Sequence, residues 1–348
     1  MSELDLAIVN ALQISPRAPW AVVAKALRVD AVTVARRWER MREAGLAWVT
    51  AYPLDQAGAA AFIEIDCAPG HNAEVADALS RDPQAVTVEH TAGGRDLLAT
   101  VLAPDFEVLS AYVVDRLGGM PGVMSTRTHL STRGYAEGGR WRLGSLDREQ
   151  RETISALARP RGAGPTDLAA HRDLVLALGP DGRLSLTDLA AALGVSVNTA
   201  GRRLSRLLES GQLGLRCELA RSLSGAPVAA TLWADVPPEH LDAAGNHIAN
   251  LPEVRMCMAT AGPHNLLTTV WLRSLGDAHH LEIRLAQDLP HLRIAERAVA
   301  LRAVKLMGRL LDPAGRAAGF VPLDVWARPQ AVTPEVTEPM TQAVTGAE

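Results

Sequence analysis

Two pairs of adjacent arginines stand out as residues able to bind a polyanion. Arg36-Arg37 and Arg202-Arg203 lie 166 positions apart, and each pair falls inside a predicted helix that follows a short turn. Guanidinium groups bind phosphates and form bidentate hydrogen bonds to guanine, so this chemistry suits double-stranded DNA. Small polar residues and further arginines complete the candidate DNA-binding set, which is Thr33, Arg36, Arg37, Arg40, Asn198, Thr199, Arg202, Arg203 and Arg206.

Three short predicted helices surround each arginine pair. In the first set Asp30 is the expected N-cap of the third helix, and Gly45 follows the end of that helix. In the second set Ser196 is the expected N-cap. A turn between the last two of three helices is typical of a helix-turn-helix, whose last helix enters the major groove. One set is equally consistent with an ordinary three-helix bundle, but two sets with the same arginine pair favour DNA recognition.

The chain is predicted to be a tandem repeat. The offset of 166 holds across both helical sets and becomes 169 where Gly93-Gly94-Arg95-Asp96 resembles Gly262-Pro263-His264-Asn265. After each helical set the apolar patterns predict the order β-α-β-β-α-β of a ferredoxin-like domain. The expected fold class is α+β, with two winged-type, three-helix helix-turn-helix units alternating with two ferredoxin-like domains. The predicted boundaries are 1–52 and 166–220 for the helix-turn-helix units, 53–133 and 221–312 for the ferredoxin-like domains, 134–165 for a linker with a short helix, and 313–348 for a largely disordered tail.

The turns just before the third strand of each mixed domain carry the candidate ligand-binding residues, which are Gly93, Gly94, Asp96, Gly262 and Asn265. The Asp96 carboxylate is suited to hold the ammonium of an amino acid while nearby backbone N–H groups hold its carboxylate. A turn-forming aspartate between two strands is the alternative, and the residues leave both interpretations open.

In its order of elements and in the motifs Asp30 to Gly45 and Gly93 to Asp96, the chain resembles the leucine-responsive regulator/AsnC family. That resemblance covers nearly the whole chain, twice over, and implies a transcription regulator that binds double-stranded DNA and a small-molecule effector, an amino acid or a related metabolite. It also implies pairing of the ferredoxin-like domains, here as an intramolecular pseudo-dimer or as a homo-oligomer. Asn265 stands where the family pattern has an acid, which puts ligand binding by the second half in question.

Composition and motifs exclude several classes of protein. The cysteines Cys67, Cys217 and Cys257 are too far apart for a structural zinc site or a disulfide framework. A cytoplasmic location without a membrane partner is expected, because there is no signal-peptide pattern and no apolar run of about 18 residues. The net charge of −4 weighs against DNA binding, yet residues 14–45 carry seven basic side chains against three acidic ones. No catalytic residue, metal or cofactor is predicted, and the chain is predicted not to be an enzyme.

Two other functions remain as alternatives. Tetrapyrrole decarboxylases of the siroheme type resemble the same family, and such an enzyme needs basic and histidine side chains around a large cavity between mixed domains. The side chains available for that role are Arg95, His90, His129 and His264. A ligand-sensing adaptor that binds protein is the third class, although both arginine-rich helices keep their charge.

Overall fold

The computed structural model describes residues 1–54, 58–156, 164 and 166–329. In chain order the α-helices are α1 Glu3–Ile14, α2 Trp20–Leu27, α3 Ala31–Glu43, α4 Asn72–Arg81, α5 Phe106–Ala111, α6 Arg148–Ser155, α7 Arg172–Leu178, α8 Leu186–Leu193, α9 Val197–Ser210, α10 Pro238–Ala249 and α11 Gly276–Asp288. The strands are β1 Ala47–Pro53, β2 Ala59–Cys67, β3 Ala85–Ala92, β4 Leu97–Ala103, β5 Val123–Ala136, β6 Leu213–Leu219, β7 Val228–Asp235, β8 Val254–Ala261, β9 Leu266–Leu272, β10 Arg293–Leu306, β11 Arg309–Leu311 and β12 Ala317–Phe320.

Each helical unit is a helix-turn-helix whose third helix is bounded by the residues that the sequence indicates. Asp30 accepts hydrogen bonds from the Val32 and Thr33 N–H groups, at 2.8 and 3.3 Å, and so caps α3. Gly45 and Gly211 follow α3 and α9 with φ of 66° and 73°, a conformation that glycine adopts without a steric penalty. These caps set the point at which the chain leaves each recognition helix for a linking strand.

The two ferredoxin-like domains close into one barrel. The strand order is β10-β3-β4-β2-β5-β8-β9-β7, and the barrel closes because the last strand, β7, pairs with the first, β10. The two joints between the halves are β5 with β8 and β3 with β10, which are equivalent under the repeat. Phe62, Leu98, Trp233 and Leu267 pack inside as one buried cluster. The mixed domains of one chain therefore pair with each other.

The linking strands also pair across the repeat. β1 and β6 are antiparallel, with Thr50 directly opposite Arg216. These two residues are 166 positions apart, so the pair lies on the pseudo-twofold axis that relates the halves.

A reciprocal arginine contact joins the two helical units. Arg17 donates to the carbonyl oxygens of Gly182 and Leu184 at 2.6 and 2.8 Å, and its counterpart Arg183 donates to two carbonyl oxygens of the first unit at 2.6 and 3.0 Å. The Arg183 guanidinium also lies 3.8 Å from the centre of the Trp20 ring. Hydrogen bonds from charged donors are among the stronger ones in proteins, so this contact holds the two units in a defined orientation.

The linker packs on the first helical unit, and the C-terminal segment differs from expectation. Helix α6 lies in the linker and contacts that unit through buried Ile154. Residues 157–163 and 165 lie outside the described residues. The predicted disordered tail is wrong for residues 313–329, because β12 pairs with β11 and Trp326 packs against the second helical unit. Residues 330–348 of that predicted tail lie outside the described residues.

Candidate functional site

The two recognition helices expose several of the predicted DNA-binding residues. Arg36 and Arg40 are exposed on α3, and Asn198, Arg202 and Arg206 are exposed on α9. At the start of α3 the apolar Val32 is 73 % exposed, where the second helix has Asn198. The exposed surfaces of the two helices thus share arginines and differ in their first turn.

Arg37 and Arg203 have a different environment from their arginine neighbours. Arg37 donates to Asp5 and Ser2 at 2.9 and 3.1 Å, which fastens α3 to the start of α1. Arg203 donates to Asp173 at the start of α7, at 3.0 Å for one of its two hydrogen bonds. Both arginines therefore hold the first helix of a unit against its recognition helix. Thr33 and Thr199 are half-buried beside the N-caps.

The two Gly-x-x-Asp-like turns anchor backbone in both halves. Asp96 accepts hydrogen bonds from the Cys67 N–H and the Asn72 side chain, each at 2.8 Å. Asn265 accepts from the Val236 N–H at 3.0 Å and donates to the same residue's carbonyl at 2.7 Å. The aspartate and the asparagine thus fix the chain at the end of the first strand of each mixed domain.

A shallow groove adjoins the second of these turns. It has a volume of about 420 Å³ and is bordered by Gly262, Asn265, Asp235, His291 and Arg293. Gly93 and Gly94 are exposed at the first turn, where Gly93 has φ of 120°. Gly262 and Asn265 therefore lie together at one groove, which Gly93, Gly94 and Asp96 do not border. The two turns are nevertheless close, because Arg95 of the first and His264 of the second both contact Glu296.

The basic and histidine residues of the decarboxylase alternative are only partly brought together. Glu64 contacts Arg95 at 2.9 Å and His129 at 2.7 Å, and all three are buried. His264 joins this cluster through Glu296, at 3.6 Å. His90 does not, because it lies beside Arg302, and burial together with that arginine lowers the pKa of His90.

A second cavity, which the sequence did not reveal, lies between the barrel and the linking strands. Its volume is about 280 Å³, and its charged lining residues are Glu89, Arg216, Arg221, Arg255 and Arg302. Burial, and secondarily Arg216, lowers the pKa of Arg255 to about 10. Burial raises the pKa of Glu89. The arginines sit on strands and in a loop of the second half, so no local motif could have indicated that they meet.

Buried donors in this cavity lack partners. The Arg255 Nε and the Trp48 indole N–H have no hydrogen-bond acceptor within the part of the chain that the structure describes. The other end of the Arg255 guanidinium donates to Glu218 at 2.6 Å, and the group lies 4.2 Å from the centre of the Trp271 ring. A buried donor without an acceptor is costly, which favours a site that an acceptor fills.

The fold thus combines two helix-turn-helix units with a closed pair of ferredoxin-like domains in one chain. Residues 1–42 match the AsnC-type helix-turn-helix domain, residues 60–141 the Lrp/AsnC ligand binding domain, and residues 170–213 a winged helix-turn-helix DNA-binding domain. The first half of the chain therefore carries both domains of a DNA-binding transcription regulator of the Lrp/AsnC family, and the second half repeats that architecture with a second winged helix-turn-helix.

The similar curated proteins cover one half of the chain. An uncharacterized HTH-type transcriptional regulator of Pyrococcus horikoshii is 25 % identical over 136 residues, which are 38 % of this chain and 86 % of that protein. The HTH-type transcriptional regulator FL11 of Pyrococcus abyssi is 28 % identical over 141 residues, 39 % of this chain and 93 % of that protein. Within the described residues no helix is long and apolar enough to cross a membrane.

A solved enzyme shares the fold over most of the chain. The siroheme decarboxylase NirDL, in complex with an iron-uroporphyrin III analogue, covers 88 % of this chain and 93 % of its own, with a TM-score of 0.55 and 16 % identity. That likeness shows the fold only. The prediction that the chain is not an enzyme is nevertheless wrong, because an enzyme has the same architecture and an enzymatic activity is therefore not excluded.

Proposed function

We propose that the protein is a sequence-specific regulator that presents two recognition helices from one chain and adjusts its DNA binding to a small molecule, an amino acid or a related metabolite. The observation that carries the proposal is the reciprocal Arg17 and Arg183 contact between the helical units. A symmetric dimer uses two subunits to place two recognition helices, and here one chain supplies both.

The proposed DNA contacts fall into two groups. Arg36, Arg40, Arg202 and Arg206 are free to reach phosphates or guanine edges, since they are exposed on α3 and α9. Arg37 and Arg203 act by orienting the recognition helices through their ion pairs with α1 and α7. Thr33, Asn198 and Thr199 lie in the first helical turns, from which side chains reach base edges.

The two recognition helices differ, so the preferred DNA site is asymmetric. Val32 on α3 offers an apolar surface that suits a thymine methyl group, whereas its counterpart Asn198 suits the edge of an adenine. Selection of binding sites from random DNA is expected to return two unlike half-sites. Perfect palindromes would contradict this part of the proposal.

Mobility shift with the protein's own upstream DNA, at rising salt, tests the proposal. Arg40→Ala combined with Arg206→Ala is expected to weaken binding at least about tenfold and to reduce the salt slope by about two. Arg273→Ala is the matched control, because Arg273 is also an exposed arginine but lies on the second mixed domain. Failure of the wild-type protein to shift any DNA at low salt would refute the regulator proposal.

The effector part of the proposal rests on the Lrp/AsnC ligand binding domain in the first half. Gly93, Gly94, Asp96, Gly262 and Asn265 are the residues proposed for it from the sequence. Single amino acids are added in turn to the mobility-shift reaction. One of them is expected to change the apparent affinity of the protein for DNA. The parallel measurement for the decarboxylase alternative is the visible absorbance spectrum of siroheme, which is expected to change when the tetrapyrrole binds to the protein.

A further inference from the structure

We infer that the arginine-lined cavity binds a small dicarboxylate, and that its occupancy adjusts the placement of the two recognition helices. This inference rests on the proposed regulatory function and adds a second effector site, with the chemical class of its ligand. It concerns a site away from both Gly-x-x-Asp-like turns.

The charge of the cavity selects an anion. Four guanidinium groups line it, from Arg216, Arg221, Arg255 and Arg302. Glu89 lies 3.6 Å from Arg221, and Glu218 pairs with both Arg216 and Arg255. Glu137 is a further carboxylate close enough to act on Arg216 and Arg255. The four guanidiniums still outnumber the carboxylates in this partly desolvated space, which favours an anionic ligand.

The geometry of the buried arginine suits a rigid carboxylate site. Arg255 is 4 % exposed and is held by Glu218 on one side and the Trp271 ring on the other. Its Nε is left without an acceptor among the described residues, as is the nearby Trp48 indole N–H. A guanidinium fixed before binding loses little conformational entropy when a ligand arrives, and charge-assisted hydrogen bonds reward an acceptor there.

The size of the cavity limits the ligand to a small molecule. The volume of about 280 Å³ lies near the lower end of the range for ligand pockets, roughly 300–1,000 Å³. The apolar part of the lining, from Phe62, Leu98 and Leu267, suits a short aliphatic segment between two carboxylates.

The position of the cavity couples it to the DNA-binding helices. Trp48 lies on β1, three residues after Gly45, and Arg216 lies on β6, five residues after Gly211. These strands lead directly out of α3 and α9. A ligand that contacts both strands therefore has a differential effect on any two arrangements of the recognition helices, which is the requirement for allosteric control.

The test uses glutarate and succinate as probes, with glutaramide as the uncharged control, in isothermal titration calorimetry of the full chain. Glutarate is expected to bind and glutaramide not to bind. Arg302→Gln removes an exposed arginine of the cavity and should raise the dissociation constant of glutarate about tenfold. Arg255→Gln should abolish binding. Arg297→Gln, an exposed arginine of the same strand outside the cavity, is the matched control and should change nothing.

Circular dichroism checks that each variant is folded, and Arg302→Gln keeps the test decisive if Arg255→Gln does not fold. Absence of glutarate and succinate binding to the wild-type chain at millimolar concentration, or binding that Arg302→Gln leaves unchanged, overturns the inference. Saturating glutarate should also change the apparent affinity for the upstream DNA by at least about fivefold. If glutarate binds but does not change the affinity for DNA, only the coupling is overturned. If glutarate binds and the protein shifts no DNA at all, the proposed function is overturned and the site is supported.

Discussion

Lys305 offers a quantitative test of the packing between β10 and the first mixed domain. It lies on β10, is 0 % exposed, and its ammonium donates to the Asp82 carbonyl oxygen at 2.8 Å. The Asp82 carboxylate is itself occupied by Arg116 and Tyr112. Burial lowers the pKa of Lys305 from 10.5 to about 7, and the attraction of Asp82 offsets only part of that effect.

The sign of the pH dependence follows from that direction. Between pH 7 and 10.5 the unfolded chain binds a proton at Lys305 that the folded chain releases, so stability rises with pH over this window. The cost of burying the charge is fully present below pH 7 and is absent above pH 10.5. At about 1.4 kcal/mol per pH unit, the full effect is on the order of 4–5 kcal/mol, of which about 2–3 kcal/mol falls between pH 6 and 9.

Lys305→Met is therefore expected to stabilise the protein at pH 6 and to lose about half of that advantage by pH 9. Urea unfolding followed by circular dichroism at several pH values measures the difference from the wild-type free energy of unfolding. Lys25→Met is the matched control, because Lys25 is exposed and is the other of the two lysines in the chain. A difference between wild type and Lys305→Met that stays constant from pH 6 to 9 would refute the reasoning.

Two further predictions concern the repeat. Asp96→Asn should keep the hydrogen bond from the Cys67 N–H, as Asn265 does for its own half, whereas Asp96→Ala should cost about 1–3 kcal/mol in a thermal melt; equal losses would argue against the anchoring role. Arg17→Ala with Arg183→Ala should weaken binding to DNA with both half-sites about tenfold but leave a single half-site unaffected, and mobility shift with the two DNAs separates these outcomes.

Local signals predicted the helical units because each rests on short-range chemistry. Asp30 and Ser196 cap helices through hydrogen bonds to residues two or three positions away, and Gly45 ends α3 through its own backbone conformation. The ferredoxin-like order followed from apolar periodicity. The recurrence of Arg36-Arg37 as Arg202-Arg203 indicated two recognition helices before any tertiary contact was known.

Contacts between distant parts of the chain were not predictable from those patterns. Arg37 and Arg203 were grouped with their neighbours, although Asp5 and Asp173 draw them into helix packing. The segment after residue 312 looked polar and irregular, yet its few apolar residues, such as Trp326, dock on the second helical unit. Glu89 and Arg255 line the same cavity although they are 166 positions apart in the sequence. No short-range sequence pattern predicts that they lie near each other.

The asymmetry of the cavity gives a physical reason for joining the two halves in one chain. Arg216 lies opposite Thr50 on the pseudo-twofold axis, and directly opposed residues of an antiparallel pair share one face. In a symmetric dimer this position would place two arginines against each other, and like charges directly opposite are destabilising. Val86 is the counterpart of Arg255 in the first half of the repeat. Neither buried arginine of the cavity therefore has an arginine as its repeat counterpart. Fusion allows one half to carry the guanidiniums while the other supplies neutral partners, which a homodimer of identical chains cannot do.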